Sequence, residues 1–63
     1  MIWITDRFNH RIQQFDCNEN FIQAFGKYGT KNGEFLSPIG ICCFGNELYV
    51  TEKDGKRFQK FQL

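Results

Sequence analysis

Histidine and proline each occur once, and the three cysteines are odd in number, with Cys42 and Cys43 adjacent. These scarcities exclude several kinds of chemistry. A zinc centre needs three or four His, Cys or carboxylate ligands at set spacing, whereas this chain has no CxxC pair and only His10. A disulfide framework is equally poorly supplied, because the bond demands a specific geometry that adjacent cysteines rarely meet. The thiols are expected to be reduced, with Cys42 and Cys43 in a core strand. No apolar run approaches a membrane span, the longest being Ile39 to Phe44 interrupted by Gly40. No apolar leader follows the first residues, since charge begins at Asp6, and no Asn-x-Ser/Thr acceptor occurs. The expectation is a soluble chain of the cytoplasm with no membrane contact. A net charge of +1 gives no general attraction to nucleic acid. With one histidine and no Ser/His/Asp or Cys/His spacing, nucleophilic catalysis has no machinery, so no enzyme activity and no cofactor are expected.

Aromatic residues are plentiful at 17%, eight of them phenylalanine, which argues against disorder. At 63 residues the chain makes one small domain at most, and a domain of that size buries only about 60% of the surface its unfolded form exposes. Much of this short length is spent on a repetition. Ile2–Phe15 aligns with Leu48–Phe61 at an offset of 46 without a gap. Thr5, Arg11, Gln13 and Phe15 meet Thr51, Arg57, Gln59 and Phe61 unchanged, and six further pairs keep their chemical type. Self-similarity at a fixed period in the forties is the mark of a repeat architecture such as the four-stranded propeller blade.

The local patterns are those of strands. "IWIT" and "LYVT" are rich in β-branched and aromatic residues. "RIQQF" and "RFQKF" each follow a polar, turn-compatible stretch, the second carrying Asp54-Gly55. "FIQAF" follows "DCNEN", in which Asn20 is suited to the positive φ of a tight turn. No 3.6-residue periodicity runs long enough for a helix. The prediction is an all-β chain of short antiparallel strands over 2–5, 10–15, 21–25, 39–44, 47–51 and 57–62. Ile12 and Phe15 lie at odd separation in one strand, so both faces of that strand are apolar. A sheet with one wet face lacks this pattern, whereas a sheet stacked between two others requires it.

In "ITDRFNHRIQQFD", "FIQAFGKYGTKNGEFLSPIGI" and "LYVTEKDGKRFQKF" the chain resembles the NHL-repeat family of β-propellers. The matching positions are Asp6, Asn9 and Arg11, then Gly26, Gly29, Gly33, Phe35, Pro38 and Gly40, then Arg57. The second copy departs from the pattern, with Glu52 for the aspartate and Gly55 for the asparagine. The resemblance implies three strands of one incomplete blade in residues 1–25, a glycine-rich inter-blade loop in 26–38, and three strands of a second incomplete blade in 39–63. It also implies a non-catalytic interaction module, either a fragment of a propeller or one that self-assembles, in which three copies would make six blades. A protein partner is the expected ligand.

Asp6–Arg11 and Glu52–Arg57 recur at the same spacing and are expected to be structural ion pairs within each hairpin. The loop glycines are expected to permit turns, since no helix and no Gly-Lys-Ser/Thr follows them. Trp3 and Tyr49, matched on strands, are expected in the core. Arg7, Phe8 and His10 in one loop, with Lys53 and Lys56 in its counterpart, are the candidate contacts to a partner. Basic residues interleaved with an aromatic also suit single-stranded RNA, the alternative partner. A third alternative is the substrate-presenting part of a tripartite-motif-like ubiquitin ligase, whose zinc-binding domains would lie outside these residues.

Overall fold

The computed structural model describes residues 1–63 as two three-stranded antiparallel sheets, with no α-helix. The first sheet contains β1 (Ile2–Asp6), β2 (Arg11–Phe15) and β3 (Phe21–Phe25) in that order. The second contains β4 (Pro38–Phe44), β5 (Glu47–Glu52) and β6 (Arg57–Gln62). Every expected strand is present, with bounds shifted by one residue at most, and one 3-10 turn, Arg7–Asn9, is added between β1 and β2. The sequence repetition is a repetition in register. Ile2 pairs with Phe15 and Asp6 with Arg11, as Leu48 pairs with Phe61 and Glu52 with Arg57.

The two sheets pack face to face. Ile12 and half-buried Trp3 and Phe25 of the first sheet meet Leu48, Val50, Ile41 and Phe61 of the second. Phe35, on the segment that links the sheets, is inserted into this contact, with ring centroids 6.1 Å from Phe25 and 5.9 Å from Phe61. Strand alternation puts Leu48, Val50, Glu52, Arg57, Gln59 and Phe61 on the packed face of the second sheet. Their counterparts at the 46-residue offset, Ile2, Ile4, Asp6, Arg11, Gln13 and Phe15, lie on the outward face of the first. The sheets are therefore stacked in one sense, front against back. Ile4 is 43% exposed where Val50 is fully buried, and Phe58 is 64% exposed where its counterpart Ile12 is fully buried.

Gly26 shows why the linking segment needs glycine. Its φ is +101°, and a Cβ there would stand 2.6 Å from the ring of Phe35. Pro38 opens β4 at the bulge, buried and without a ladder donor to lose.

Two local expectations are corrected. Cys42 and Cys43 are exposed, as is Cys17, and all three are free. Cys42 alternates to the outward face beside Tyr49, and Cys43, beside Leu48, borders an open cavity of about 550 Å³ between the sheets with Trp3, Gln14 and Gln23. The positive φ of the β2–β3 turn falls on Glu19, not Asn20. Asp16 is responsible, because its carboxylate accepts from the N–H groups of Asn18 and Asn20 and from the Asn20 amide. The β5–β6 turn places its positive φ on Lys56 rather than Gly55, matching His10 at the equivalent position, with φ 53° in both.

Lys56 is exposed and makes no side-chain bond. Its left-handed backbone carries a penalty that glycine avoids, partly offset by the greater freedom of glycine in the unfolded chain. Lys56→Gly is expected to stabilise the chain by about 0.5 kcal/mol, measured as a raised urea midpoint with an unchanged slope.

Candidate functional site

Each hairpin carries a carboxylate, an arginine and a glutamine on one face. In the second hairpin, Arg57 Nε donates to Glu52 Oε2 at 2.6 Å and Gln59 Nε2 donates to the same oxygen at 3.0 Å. This triad clamps the linking segment. Glu52 Oε1 accepts the Leu36 N–H at 2.8 Å, and Arg57 Nη2 donates to the carbonyls of Lys31 and Glu34. Gln59 donates to the Glu34 carbonyl at 2.7 Å and accepts the Gly33 N–H at 3.0 Å. Gly33 presents that N–H with a φ of +81°, a conformation that a β-carbon would disfavour.

The first hairpin repeats the inner half of this arrangement. Arg11 Nε donates to Asp6 Oδ2 at 2.8 Å and Gln13 Nε2 at 3.1 Å, the same donors onto the equivalent oxygen. Asn9 donates to both carboxylate oxygens. Its counterpart is Gly55, where a Cβ would lie 2.6 Å from Glu52 Oε1. The longer glutamate and the missing side chain thus compensate one another. The Glu52 side chain is fully buried and Arg57 31% exposed, against 19% and 43% for Asp6 and Arg11.

Electrostatics follow these contacts. The hydrogen bonds from Arg11 and Asn9 hold the Asp6 carboxyl below its ordinary value, against a smaller opposing effect of burial. Burial pushes Glu52 up, but the Leu36 N–H, Gln59 and Arg57 together outweigh it, and the carboxyl also lies below the ordinary range.

The candidate contact residues fall in two turns at one end of the sheets, joined through Ser37. The Ser37 N–H donates to His10 Nδ1 at 3.0 Å and its hydroxyl donates to Asp54. His10 also meets the edge of Tyr28, with centroids 4.9 Å apart, so its ring is committed to holding the two turns together. Phe8 is 86% exposed, with the Arg7 guanidinium 5.5 Å from its ring centroid. Lys53 and Lys56 are exposed on the other turn. Gly29 donates to the Phe35 carbonyl and Gly40 to Thr51 Oγ1, structural bonds in both cases. Trp3 and Tyr49 are half-buried rather than central, Trp3 against the core and Tyr49 tilted over Phe58.

Ser37, Gln13 and Gln59 carry much of this geometry without standing out as site residues in the sequence, and Phe35 stands out there only as a position of the family resemblance. The identical Gln13/Gln59 pair was the available signal for two of them. Ser37, in a positive φ of 58°, offers none. No group of three or more His, Cys, Asp and Glu side chains is placed to hold a metal ion. No family model matches the chain, and no curated protein matches it either.

Proposed function

We propose that this chain is a non-catalytic interaction module built of two incomplete NHL-type propeller blades, made to be continued by protein on both sides. One observation carries the reading. The two outward faces are the repeat counterparts of the two faces that pack inside the molecule. Ile2, Ile4 and Phe15 on one outward face correspond to Leu48, Val50 and Phe61, which are packed against the first sheet. Tyr49 and Phe58 on the other outward face correspond to Trp3 and Ile12. A surface bearing the apolar pattern of an interior contact is a protein-docking surface rather than a solvated one. Front-to-back contacts of this kind are heterologous and build rings when the rotation closes. Three copies of two blades would supply six.

Light scattering on the purified chain is expected to give a discrete oligomer, a trimer, with a β-sheet circular dichroism spectrum. Ile4→Asp changes an exposed side chain and is expected to yield monomers that keep that spectrum. A wild-type monomer, or an oligomer indifferent to Ile4→Asp, would contradict the stacking.

RNA is the second reading, favoured by the way Ser37 ties the turn of Arg7 and Phe8, through His10, to the turn of Lys53 and Lys56, through Asp54. Binding to a single-stranded oligonucleotide that weakens steeply with salt would move the assignment to it.

A further inference from the structure

The structure contains one linking segment and two hairpins equipped to hold one. Residues 31–44 engage the second hairpin in three ways. The loop carbonyls and N–H groups are clamped by Glu52, Arg57 and Gln59. The Phe35 ring packs with Leu48, Val50 and Phe61. The strand that follows, β4, pairs with the edge of β5 from Pro38–Glu52 to Phe44–Glu47.

The first hairpin has the counterpart of each. Asp6, Arg11 and Gln13 reproduce the clamp, but the Arg11 Nη groups and Gln13 Oε1 make no hydrogen bond. Ile2, Ile4 and Phe15, the equivalents of Leu48, Val50 and Phe61, line an open cleft of about 280 Å³. β1 pairs with β2 alone, so its outer edge has no strand partner. Nothing within the chain fills these three positions, and stacking of identical copies covers the apolar face without supplying the loop and strand. Each added copy brings one segment, already held by its own second hairpin, and one more first hairpin.

We propose that the β1–β2 hairpin is a binding site for a polypeptide segment of the same kind, supplied from outside these 63 residues. The segment is a glycine-spaced loop with one phenylalanine, running directly into an extended strand. Its chemistry follows from complementarity of charge, hydrogen bonding and shape. The cationic Arg11 head takes two backbone carbonyls, as Arg57 does. Gln13 takes one carbonyl and one N–H, as Gln59 does. The phenylalanine enters the Ile2–Ile4–Phe15 cleft, and the strand adds to the edge of β1 as β4 adds to β5. Asp6 Oδ1 has a second lone pair for a loop N–H beside its bond to Asn9. The site deepens the interaction reading above and rests on it for the sense in which the sheets are continued.

A synthetic peptide of residues 26–44, with Cys42→Ser and Cys43→Ser, is the probe. The chain has a single tryptophan, Trp3, and it lies on β1, whereas the peptide has none. Titration is expected to give a saturating blue shift of Trp3 emission and new amide protection over residues 2–6. Arg11→Ala in the chain, or Phe35→Ala in the peptide, is expected to weaken binding about tenfold or more. No saturable shift up to about 1 mM peptide, in a chain that keeps its β-sheet spectrum, would overturn the site while leaving the stacking of copies standing. Protection that changes only over residues 47–52 would mean the peptide had displaced the chain's own segment, and would overturn it too.

Discussion

Replacing Phe35 with alanine is expected to remove a large share of the chain's folding stability, read as a much lowered urea midpoint. Phe35 is a loop residue, yet it is fully buried and its ring contacts both sheets. Removing a buried phenylalanine ring costs about 3–5 kcal/mol, the lost transfer energy plus the cavity left behind. At about 0.05–0.15 kcal/mol per residue, a chain of 63 residues has roughly 3–9 kcal/mol in all. The cavity cannot be closed cheaply, because Phe25 and Phe61 are anchored on separate sheets and meet each other at 5.2 Å. Phe8→Ala is the matched control. Phe8 is solvent-exposed, so its loss should change stability by no more than about 0.5 kcal/mol. Urea unfolding followed by far-UV circular dichroism reads both variants. A Phe35→Ala midpoint equal to that of the wild type would mean that the loop does not join the sheets through this ring.

The contrast between these two phenylalanines marks what was legible in the sequence. Strand positions were, because alternation and β-branched or aromatic composition are local properties, and the repeat fixed which strands correspond. The duplicated register, Asp6 with Arg11 and Glu52 with Arg57, was foreshadowed by the identical spacing of the pairs. The asymmetry between the copies was not. Nothing in "TDRFNHR" or "TEKDGKR" says that one carboxylate is sealed beneath the linking segment while the other faces outward. That difference arises because only one 31–36 loop exists for two receptors. The exposure of Cys42 and Cys43 is hidden from the sequence for a related reason. "IGICCF" has the composition of a core strand, and it would be one in a fully covered sheet, but here Cys42 faces outward and Cys43 borders an open cavity between the sheets. The role of Ser37 depends on two turns meeting across 27 and 17 residues of chain, which no local pattern encodes.

The asymmetry of the two clamps leads to the second large effect. Glu52→Ala is expected to cost about 3 kcal/mol, the range for removing one partner of a buried, hydrogen-bonded ion pair. Arg57 loses its carboxylate, and the Leu36 N–H and Gln59 amide lose their acceptor, while water reaches them poorly. Asp6→Ala removes the same kind of group from a clamp whose arginine is better exposed and that holds no loop, so its effect should be clearly smaller. The two copies differ in acid as well. Glu52 has a folded-state pKa below its ordinary value of 4.5, so its contribution is complete above that value. It is lost as pH falls through the lower folded pKa, because the unfolded chain takes up the proton first. Asp6, Asp16 and Glu47 are depressed in the same direction and add to the slope. Stability should therefore be level from neutrality to about pH 5 and decline below it. Glu52→Gln retains an acceptor for Leu36 but has no titrating group, so it should lower the neutral-pH plateau and flatten the acid limb. Urea midpoints measured from pH 7 down to about 2.5 separate these effects. An acid limb of unchanged steepness in Glu52→Gln would place the proton-linked stability on the other carboxylates, and equal losses in Asp6→Ala and Glu52→Ala would mean that burial beneath the loop adds nothing to the pair.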